Sequence, residues 1–411
     1  MKRVFSFIVA AVALIACATP PALTPEMAAT RRSLDPATEV MTGAQQPDRY
    51  VDLLRGKRVA LFSNQTGIVG WDHTGKPVHT LDLMLFKGLK VTTIFSPEHG
   101  FRGTADAGEH VSSSVDPVTG IPIASLYDGK RPGPSPETMA AFDVLVVDIQ
   151  DVGLRYYTYY VTMIKLMEAC VAADKDVVVL DRPNPNGMTV DGPVLDMRLR
   201  SGVGRLPIPT VHGMTLGEIA LMANGEHWLK DNLQVKNLTV IPCKGYTHQT
   251  RYRLPVAPSP NLPNMTSIYL YPSTCYFEGT DVSLGRGTDK PFQQYGHPDM
   301  VGYSYSFTPR SVPGAKNPPQ LDKLCHGVDL SGISDEEAIA MGVNLEYVVN
   351  AYRNLGQGEK FFTKFFDKLM GTEAVRKMIV AGMSPADIKA TWSAEVDAFR
   401  AQRRPYLLYP E

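Results

Sequence analysis

The stretch Val144-Leu145-Val146-Val147-Asp148-Ile149 decides the fold class that we predict for this chain. It is nearly all apolar and is followed by polar residues, which is typical of a strand buried on both faces of a parallel sheet. Four further runs share this character: residues 58–62, 91–95, 121–126 and 177–180. Helical stretches separate the runs, so the sequence predicts an α/β fold with a Rossmann-like parallel sheet.

The length of the chain indicates a second domain. Its 411 residues exceed the size at which one hydrophobic core usually stops growing. The Pro-rich segment 255–263 marks a boundary, so we expect the Rossmann-like domain over residues 49–255. A smaller α+β domain over residues 256–411 is expected to close the cleft of the site. It carries a helical pattern over residues 338–355. Its aromatic stripe, which comprises Phe361-Phe362, Phe365-Phe366, Trp392 and Phe399, is interpreted as core packing.

Composition excludes several classes of protein. Hydrophobic residues make up 44% of the chain and charged residues 20%, which is typical of a globular protein. Lys and Arg total 41 against 42 Asp and Glu, for a net charge of -1, and there is no basic block of five or more residues. Nucleic acid is therefore not expected as a partner.

The N-terminus has the pattern of a bacterial export signal. Met1-Lys2-Arg3 precedes an apolar run that is shorter than the roughly 20 residues of a membrane span. Leu14-Ile15-Ala16-Cys17 is typical of a lipoprotein cleavage site. We therefore expect a signal peptide over residues 1–17, lipidation at Cys17, and a flexible tether over residues 18–48. This predicts a protein anchored to a membrane by lipid and facing the periplasm. The alternative is an ordinary cleavage site with Cys17 as a bystander.

Polar residues follow the predicted strands, at the sheet edge where ligands bind in this architecture. They occupy residues 63–67, 96–100, 150–157 and 181–187. Carboxylates, amides, Arg and Tyr together are typical of a carbohydrate site, where many hydroxyl groups need hydrogen-bond partners. The alternative, that these residues only form turns, explains Gly67, Asn186 and Gly187. It explains Glu98, His99 and Arg155 poorly.

Motifs for other chemistries are absent from the sequence. It has neither the glycine pattern of dinucleotide sites nor that of phosphate loops, so we expect no nucleotide cofactor. The histidines and cysteines lack metal-ligand spacing, so we expect no metal; disulfides stay open. There is no nucleophile elbow of a serine hydrolase. Thr215 and Glu218 fit a helix capping box, which favours a structural role for Glu218.

Several longer motifs resemble a known family. They are residues 95–103, 147–159, 180–185, 212–218, 258–263, 271–273, 277–280, 283–288 and 406–409. In this order they are similar to the bacterial exo-β-N-acetylmuramidases of glycoside hydrolase family 171, over roughly residue 51 to the end. The resemblance implies a Rossmann-like catalytic domain, a smaller C-terminal domain and a site between them. It also implies release of N-acetylmuramic acid from the non-reducing ends of peptidoglycan fragments.

Glycoside cleavage usually needs two carboxyl groups. Glu98 is the best candidate for the general acid, because it follows a strand and a partly closed cleft raises the pKa of a carboxyl group. Candidates for the second carboxyl group are Glu278, Asp148 and Asp151, with Glu168 less favoured because it lies inside a predicted helix. Alternatively, the 2-acetamido group of the substrate supplies the nucleophile.

The lactyl carboxylate of muramic acid calls for a cation, and the candidates are Arg102, Arg155 and Arg286. The full predicted set for substrate binding is His99, Arg102, Asp148, Gln150, Arg155, Tyr156, Arg182, Asn184, His212 and Arg286. The expected partners are fragments of N-acetylmuramic acid linked to N-acetylglucosamine, and a membrane through the lipid anchor only. The leading alternative is a non-catalytic lipoprotein that binds such fragments. A nucleotide-dependent oxidoreductase or sugar-modifying enzyme is the third class.

Overall fold

The computed structural model describes residues 40–97, 101, 114–125 and 133–411. The first half of the chain contains a central sheet and a small hairpin. The strands are β1 (Arg58–Phe62), β2 (Ile68–Trp71), β3 (Pro77–His79), β4 (Lys90–Ser96), β5 (Ser114–Val115), β6 (Pro122–Ser125), β7 (Val144–Val147), β8 (Asp176–Leu180) and β9 (Leu238–Ile241). Strands β2 and β3 pair only with each other, and the others form one sheet in the order β5-β6-β4-β1-β7-β8-β9.

The sheet confirms the predicted Rossmann-like architecture. All of its strands are parallel except β5, which pairs antiparallel with β6. The five predicted strands are present, and β9, an edge strand in which only Ile241 is fully buried, was not predicted. From β1 the chain builds outward through β4 and β6, then returns to place β7 on the other side of β1. The switch point therefore lies at the carboxyl ends of β1 and β7, where ligands bind in such sheets.

Helices cover both faces of the sheet. They are α1 (Val51–Leu54), α2 (Thr80–Phe86), α3 (Pro136–Ala140), α4 (Tyr159–Ala172) and α5 (Leu216–Gly225). Residues of α1 and α2 pack in one buried cluster with one face of the sheet, and those of α4 and α5 pack in another with the opposite face. Strands β1, β7 and β8 are buried along almost their whole length, as their apolar sequences predict.

The second half of the chain is α+β, as predicted. Its strands are β10 (Gln294–His297), β11 (Tyr305–Phe307) and β12 (Cys325–Asp329), which form an antiparallel sheet in the order β10-β12-β11. Its helices are α6 (Met265–Thr274), α7 (Asp335–Met341), α8 (Glu346–Leu355), α9 (Lys364–Met370), α10 (Ala374–Val380), α11 (Pro385–Ala390) and α12 (Ser393–Arg403). The aromatic stripe is core as predicted, except that Phe365 is 37% exposed.

The helical pattern predicted over residues 338–355 is two helices rather than one. Gly342 ends α7 with a positive φ of 57°, a conformation that side chains disfavour. A Cβ atom at this position would also lie 2.4 Å from Oδ2 of Asp191. The chain therefore turns here, because glycine adopts this conformation readily and so ends the helix.

The two halves share one hydrophobic core, which runs from α4 and α5 to the helices of the second half. Cys170, Cys243, Cys275 and Cys325 are buried free thiols. No helix within the described residues is long and apolar enough to span a bilayer.

Candidate active site

A buried ion pair lies at the switch point. Arg182 follows β8, and its Nε and Nη2 atoms donate to the two carboxylate oxygens of Asp148, which follows β7, at 2.6 and 3.0 Å. The Thr80 hydroxyl also donates to Asp148, and Arg182 Nη2 donates to the carbonyl of Ile68 at 3.0 Å. Asp148 is fully buried. The pair ties two strand ends to the β2–β3 hairpin, so each charge is compensated within the protein.

The described polar residues that follow β1, β7 and β8 come together at this edge, where they hydrogen-bond to neighbouring parts of the chain. Gln150 donates through Nε2 to the carbonyl of Pro183 at 2.7 Å, and Asn184 donates through Nδ2 to the carbonyl of Met214 at 2.9 Å. The amide of Asn64 donates to the Tyr159 hydroxyl at 2.9 Å. These bonds make the edge rigid, which is the condition for binding a ligand with little loss of entropy.

Asp151 has the most unusual surroundings of the candidate carboxyl groups. Its Oδ1 atom accepts from the backbone N–H of Gly153 at 2.8 Å, and its Oδ2 atom is buried with no hydrogen-bond partner in the described part of the chain. Burial raises the pKa of Asp151 to about 7, although backbone N–H groups oppose the shift. This carboxyl group is therefore poised to change charge near neutral pH.

His79 was missed by the sequence analysis. Its Nδ1 atom accepts from the backbone N–H of Leu81 at 3.1 Å, so Nε2 carries the proton and donates to the carbonyl of Asn64 at 2.8 Å. Burial lowers the pKa of His79, which keeps the ring neutral. The ring holds the loop after β1 in place. No sequence motif marks it, because its two shortest ring hydrogen bonds are to backbone atoms.

Arg155 contradicts its predicted role. The side chain is fully buried, and its Nη1 and Nη2 atoms donate to four backbone carbonyls at 2.6 to 3.0 Å. The carbonyls belong to Pro193, Ile208, Leu369 and Met370. The guanidinium thus has no exposed N–H group that could bind a carboxylate of the substrate. It joins the two halves of the protein instead.

His212 and Tyr156 are also buried, and the Nε2 atom of His212 has no hydrogen-bond partner among the described residues. Burial and the nearby Arg403 lower the pKa of His212 to about 3, and its Nδ1 atom accepts from the N–H of Met214. The Tyr156 hydroxyl donates to the carbonyl of Tyr271 at 3.0 Å. Their roles in binding stay predictions.

Glu278 and Arg286 form a partly exposed pair in the second half. The Nε and Nη2 atoms of Arg286 donate to Oε1 of Glu278 at 2.8 and 2.6 Å. The side chains are 23% and 19% exposed, respectively, and the guanidinium lies over the Phe292 ring at 5.0 Å. Among the described residues, Nη1 of Arg286 has no hydrogen-bond partner. The pair therefore presents a cation whose outer nitrogen is open to a ligand.

An aromatic layer connects this pair to the strand-end edge. Phe292 contacts Tyr271 with ring centroids 4.7 Å apart, and Tyr271 contacts Tyr157 at 6.3 Å. The hydroxyls of Tyr157 and Tyr159 both donate to the carbonyl of Pro258 at 3.0 Å. The Pro-rich segment thus lies against the edge, and the two halves meet beside the site.

Glu98, His99 and Arg102 lie outside the described residues. The last described residues before them are Ser96, which ends β4, and Pro97. In the described ranges, no three His, Cys, Asp or Glu side chains are grouped so as to hold a metal ion. The described part of the site is suited to hydrogen bonding, charge pairing and proton transfer by carboxyl groups.

Three known proteins are similar to this chain. The peptidoglycan beta-N-acetylmuramidase NamZ of Bacillus subtilis (strain 168) is 37% identical over 390 residues, which cover 90% of this chain and 92% of that protein. Two crystal structures of DUF1343 family proteins from Bacteroides fragilis NCTC 9343 share the fold. One is 58% identical with a TM-score of 0.84, and the other is 28% identical with a TM-score of 0.76. Each covers 91% of this chain and is itself covered completely.

Two family models match in tandem. The N-terminal model of exo-beta-N-acetylmuramidase NamZ matches residues 59–266, and the C-terminal model matches residues 269–409. The models meet after the Pro-rich segment, whereas the sequence analysis placed the boundary at residue 255. Together with the similarity to the Bacillus protein, these matches show that the chain belongs to the exo-β-N-acetylmuramidase NamZ family.

Proposed function

We propose that this protein releases N-acetylmuramic acid from the non-reducing ends of peptidoglycan fragments, with Glu98 as general acid and Glu278 as the second carboxyl group. The observation that carries the proposal is the tandem match of both family models over residues 59–409. The Bacillus relative is named as a peptidoglycan beta-N-acetylmuramidase. A carboxyl pair suits the reaction, since one group protonates the leaving oxygen and the other stabilises positive charge on the sugar.

The place of Glu98 in the chain supports the acid role. It follows the end of β4 by two residues, and β4 is the neighbour of β1 on the side opposite β7. Carboxyl ends of parallel strands share one edge of the sheet, so β4 ends beside the switch point. Pro97 before it and Gly100 after it are residues typical of a tight loop.

The second role goes to Glu278 because it is paired with a cation and lies within reach of solvent. Arg286 donates two hydrogen bonds to it, and about a fifth of each side chain is exposed. Asp148 is unsuitable, since Arg182 and Thr80 occupy its oxygens in a fully buried position. Glu168 lies in α4 and is paired with Arg205. Participation of the 2-acetamido group remains the alternative to a protein nucleophile.

The test is the variant Glu98→Gln, which keeps the shape of the side chain but cannot give up a proton. We expect kcat on the natural disaccharide to fall about 100-fold or more, with little change in the unfolding temperature. Release of nitrophenol from 4-nitrophenyl N-acetyl-β-muramide should fall less, because this leaving group needs no proton. Glu346→Gln, on the exposed first turn of α8, is the matched control. Near wild-type turnover of the disaccharide by Glu98→Gln would remove Glu98 from the mechanism.

We also propose export and lipid anchoring at Cys17. The support is the apolar run before Cys17 and the Pro- and Ala-rich segment after it. Several acyl chains anchor a protein firmly, whereas one anchors it weakly. Cys17→Ser should therefore move the protein from the membrane fraction to the soluble fraction. Complete retention of the variant in the membrane fraction would contradict the proposal.

A further inference from the structure

The β2–β3 hairpin holds an indole ring in solvent. Trp71 ends β2 and is 54% exposed, although most large aromatic side chains of the described chain are buried. Exposing a tryptophan forgoes the stabilisation that burial of its ring would give. An exposed aromatic ring on an ordered element is thus a candidate for contact with a ligand.

The hairpin begins at the proposed site. Ile68, the first residue of β2, pairs with His79 at the end of β3, and its carbonyl accepts from Arg182 at 3.0 Å. Three residues of extended chain place Trp71 no more than about 10 Å from Ile68 along the strand. The indole therefore stands on an element that leads from the switch point to the surface.

The tip of the hairpin is ordered by its own hydrogen bonds. Oδ1 of Asp72 accepts from the backbone N–H of Thr74 at 2.8 Å, from the Thr74 hydroxyl at 2.7 Å and from the N–H of Lys76 at 3.0 Å. The N–H of Asp72 donates to the carbonyl of Lys76 at 2.8 Å. Trp71 is thus fixed next to a rigid turn, which reduces the entropy lost when a ligand packs on it.

We infer that Trp71 is a stacking platform for the part of the glycan that lies beyond the cleaved bond. This inference rests on the proposed function. An enzyme that removes the terminal sugar holds that sugar in the site, so the rest of the chain must leave across the surface. The apolar C–H face of a pyranose ring packs on an indole ring, and its hydroxyl groups stay in water. Trp71 then favours longer fragments without taking part in bond cleavage.

The experiment compares Trp71→Ala with wild type on two substrates. One is 4-nitrophenyl N-acetyl-β-muramide, which has a single sugar, and the other is a peptidoglycan tetrasaccharide with muramic acid at its non-reducing end. We expect kcat/KM on the tetrasaccharide to fall about 3- to 10-fold, through KM, as loss of one stacked ring predicts. The nitrophenyl substrate should change less than twofold. Phe86→Ala removes another exposed aromatic ring, at the far end of α2, and should change neither.

Other outcomes overturn the inference. An unchanged tetrasaccharide rate in Trp71→Ala, or an equal fall on both substrates, would show that Trp71 is not a platform for the distal glycan. If wild type cleaved neither substrate, the proposed activity would fail. Calorimetric binding of the tetrasaccharide to wild type and Trp71→Ala would then decide the role of Trp71, since equal affinities or no binding would exclude it.

Discussion

Arg286 and Arg155 both belong to the predicted site, but their hydrogen bonds show that only one of them is available to a ligand. Arg286 is held by one carboxylate oxygen and an aromatic face, so its outer nitrogen is available. Both terminal nitrogens of Arg155 are occupied by carbonyl groups in the interior. An arginine that recognises a ligand must keep some of its guanidinium N–H groups free of partners within the protein. Arg286 is therefore our choice of partner for the lactyl carboxylate.

Arg286→Met should weaken transition-state binding of the muramyl substrate by about 2 kcal/mol or more, because a charge-assisted hydrogen bond is lost. The value of kcat/KM should also fall for the N-acetylglucosamine analogue, because Arg286 holds Glu278, but it should fall less, since this analogue lacks the lactyl group. Arg310→Met is the matched control, since Arg310 forms an exposed pair with Asp322 at 2.7 Å. Equal losses for the two sugars would assign Arg286 to a shared part of the substrate or to structure.

Asp151 should make stability depend on pH. Its pKa in the folded protein is about 7, above the ordinary 3.8. The stability that the raised pKa gives the folded protein is therefore fully present below about pH 4. That stability is lost as the pH rises through 7. Asp151→Asn cannot ionise and should be as stable as wild type at pH 4 but more stable at pH 8. Thermal unfolding of both proteins across this range measures the difference. A difference that stays constant with pH would contradict the raised pKa.

At the scale of elements, Glu218 at the N-terminus of α5 has two tasks: it completes a capping box and it binds distant parts of the chain. The backbone N–H of Thr215 donates to Glu218 Oε2 at 2.9 Å, and the N–H of Glu218 donates to the Thr215 hydroxyl oxygen at 3.3 Å. Oε1 of Glu218 also accepts from the N–H of Leu408 at 2.8 Å and lies 3.1 Å from Nε2 of His248. This confirms the structural role predicted for Glu218. The same carboxylate also secures the end of the chain.

Glu218→Ala should lower the free energy of unfolding by about 3 kcal/mol or more, because it leaves several buried groups unpaired. The matched control is Glu337→Ala in the capping box of α7. Ser334 and Glu337 form the same box there, but in solvent. Its loss should be only about 0.5–1 kcal/mol, since water replaces the lost acceptor. Denaturant unfolding compares the two. Similar losses in the free energy of unfolding for the two variants would mean that burial does not determine how much a capping box stabilises the protein.

At the scale of the whole molecule, the two halves are joined by polar contacts as well as by their common core. Asp191 of the first half accepts from the Trp392 indole at 2.9 Å and from the Val343 N–H at 2.9 Å. The Tyr409 hydroxyl donates to Asp181 at 2.6 Å. The second half is therefore part of the folding unit that positions the site.

Arg155→Met tests this coupling. The variant leaves carbonyl groups of both halves unpaired in the interior, so it should lower the free energy of unfolding by about 3 kcal/mol or more. Residual activity should fall alike for muramyl and glucosaminyl substrates, since Arg155 contacts neither. Thermal unfolding and kcat/KM on both sugars are the measurements. Unchanged stability with a selective loss for the muramyl substrate would restore the predicted role in binding.

Local sequence determined the sheet, the cap of α5 and the position of the polar edge. Apolar runs such as Val144–Val147 are buried wherever a parallel sheet forms, and the residues after them must lie at its carboxyl edge. The capping box of Thr215 and Glu218 is a contact over three residues, so its spacing alone predicts it.

Only the tertiary structure decided which polar side chains are free to meet a ligand. Arg155 and Arg286 each lie within a recognisable motif. The carbonyls of Leu369 and Met370 that accept hydrogen bonds from Arg155, however, lie more than 200 residues away in the chain. His79 was missed for the same reason, because the bonds and burial of its ring depend on the packed fold. Burial and saturation of a polar group arise from distant parts of the chain, and no local spacing encodes them.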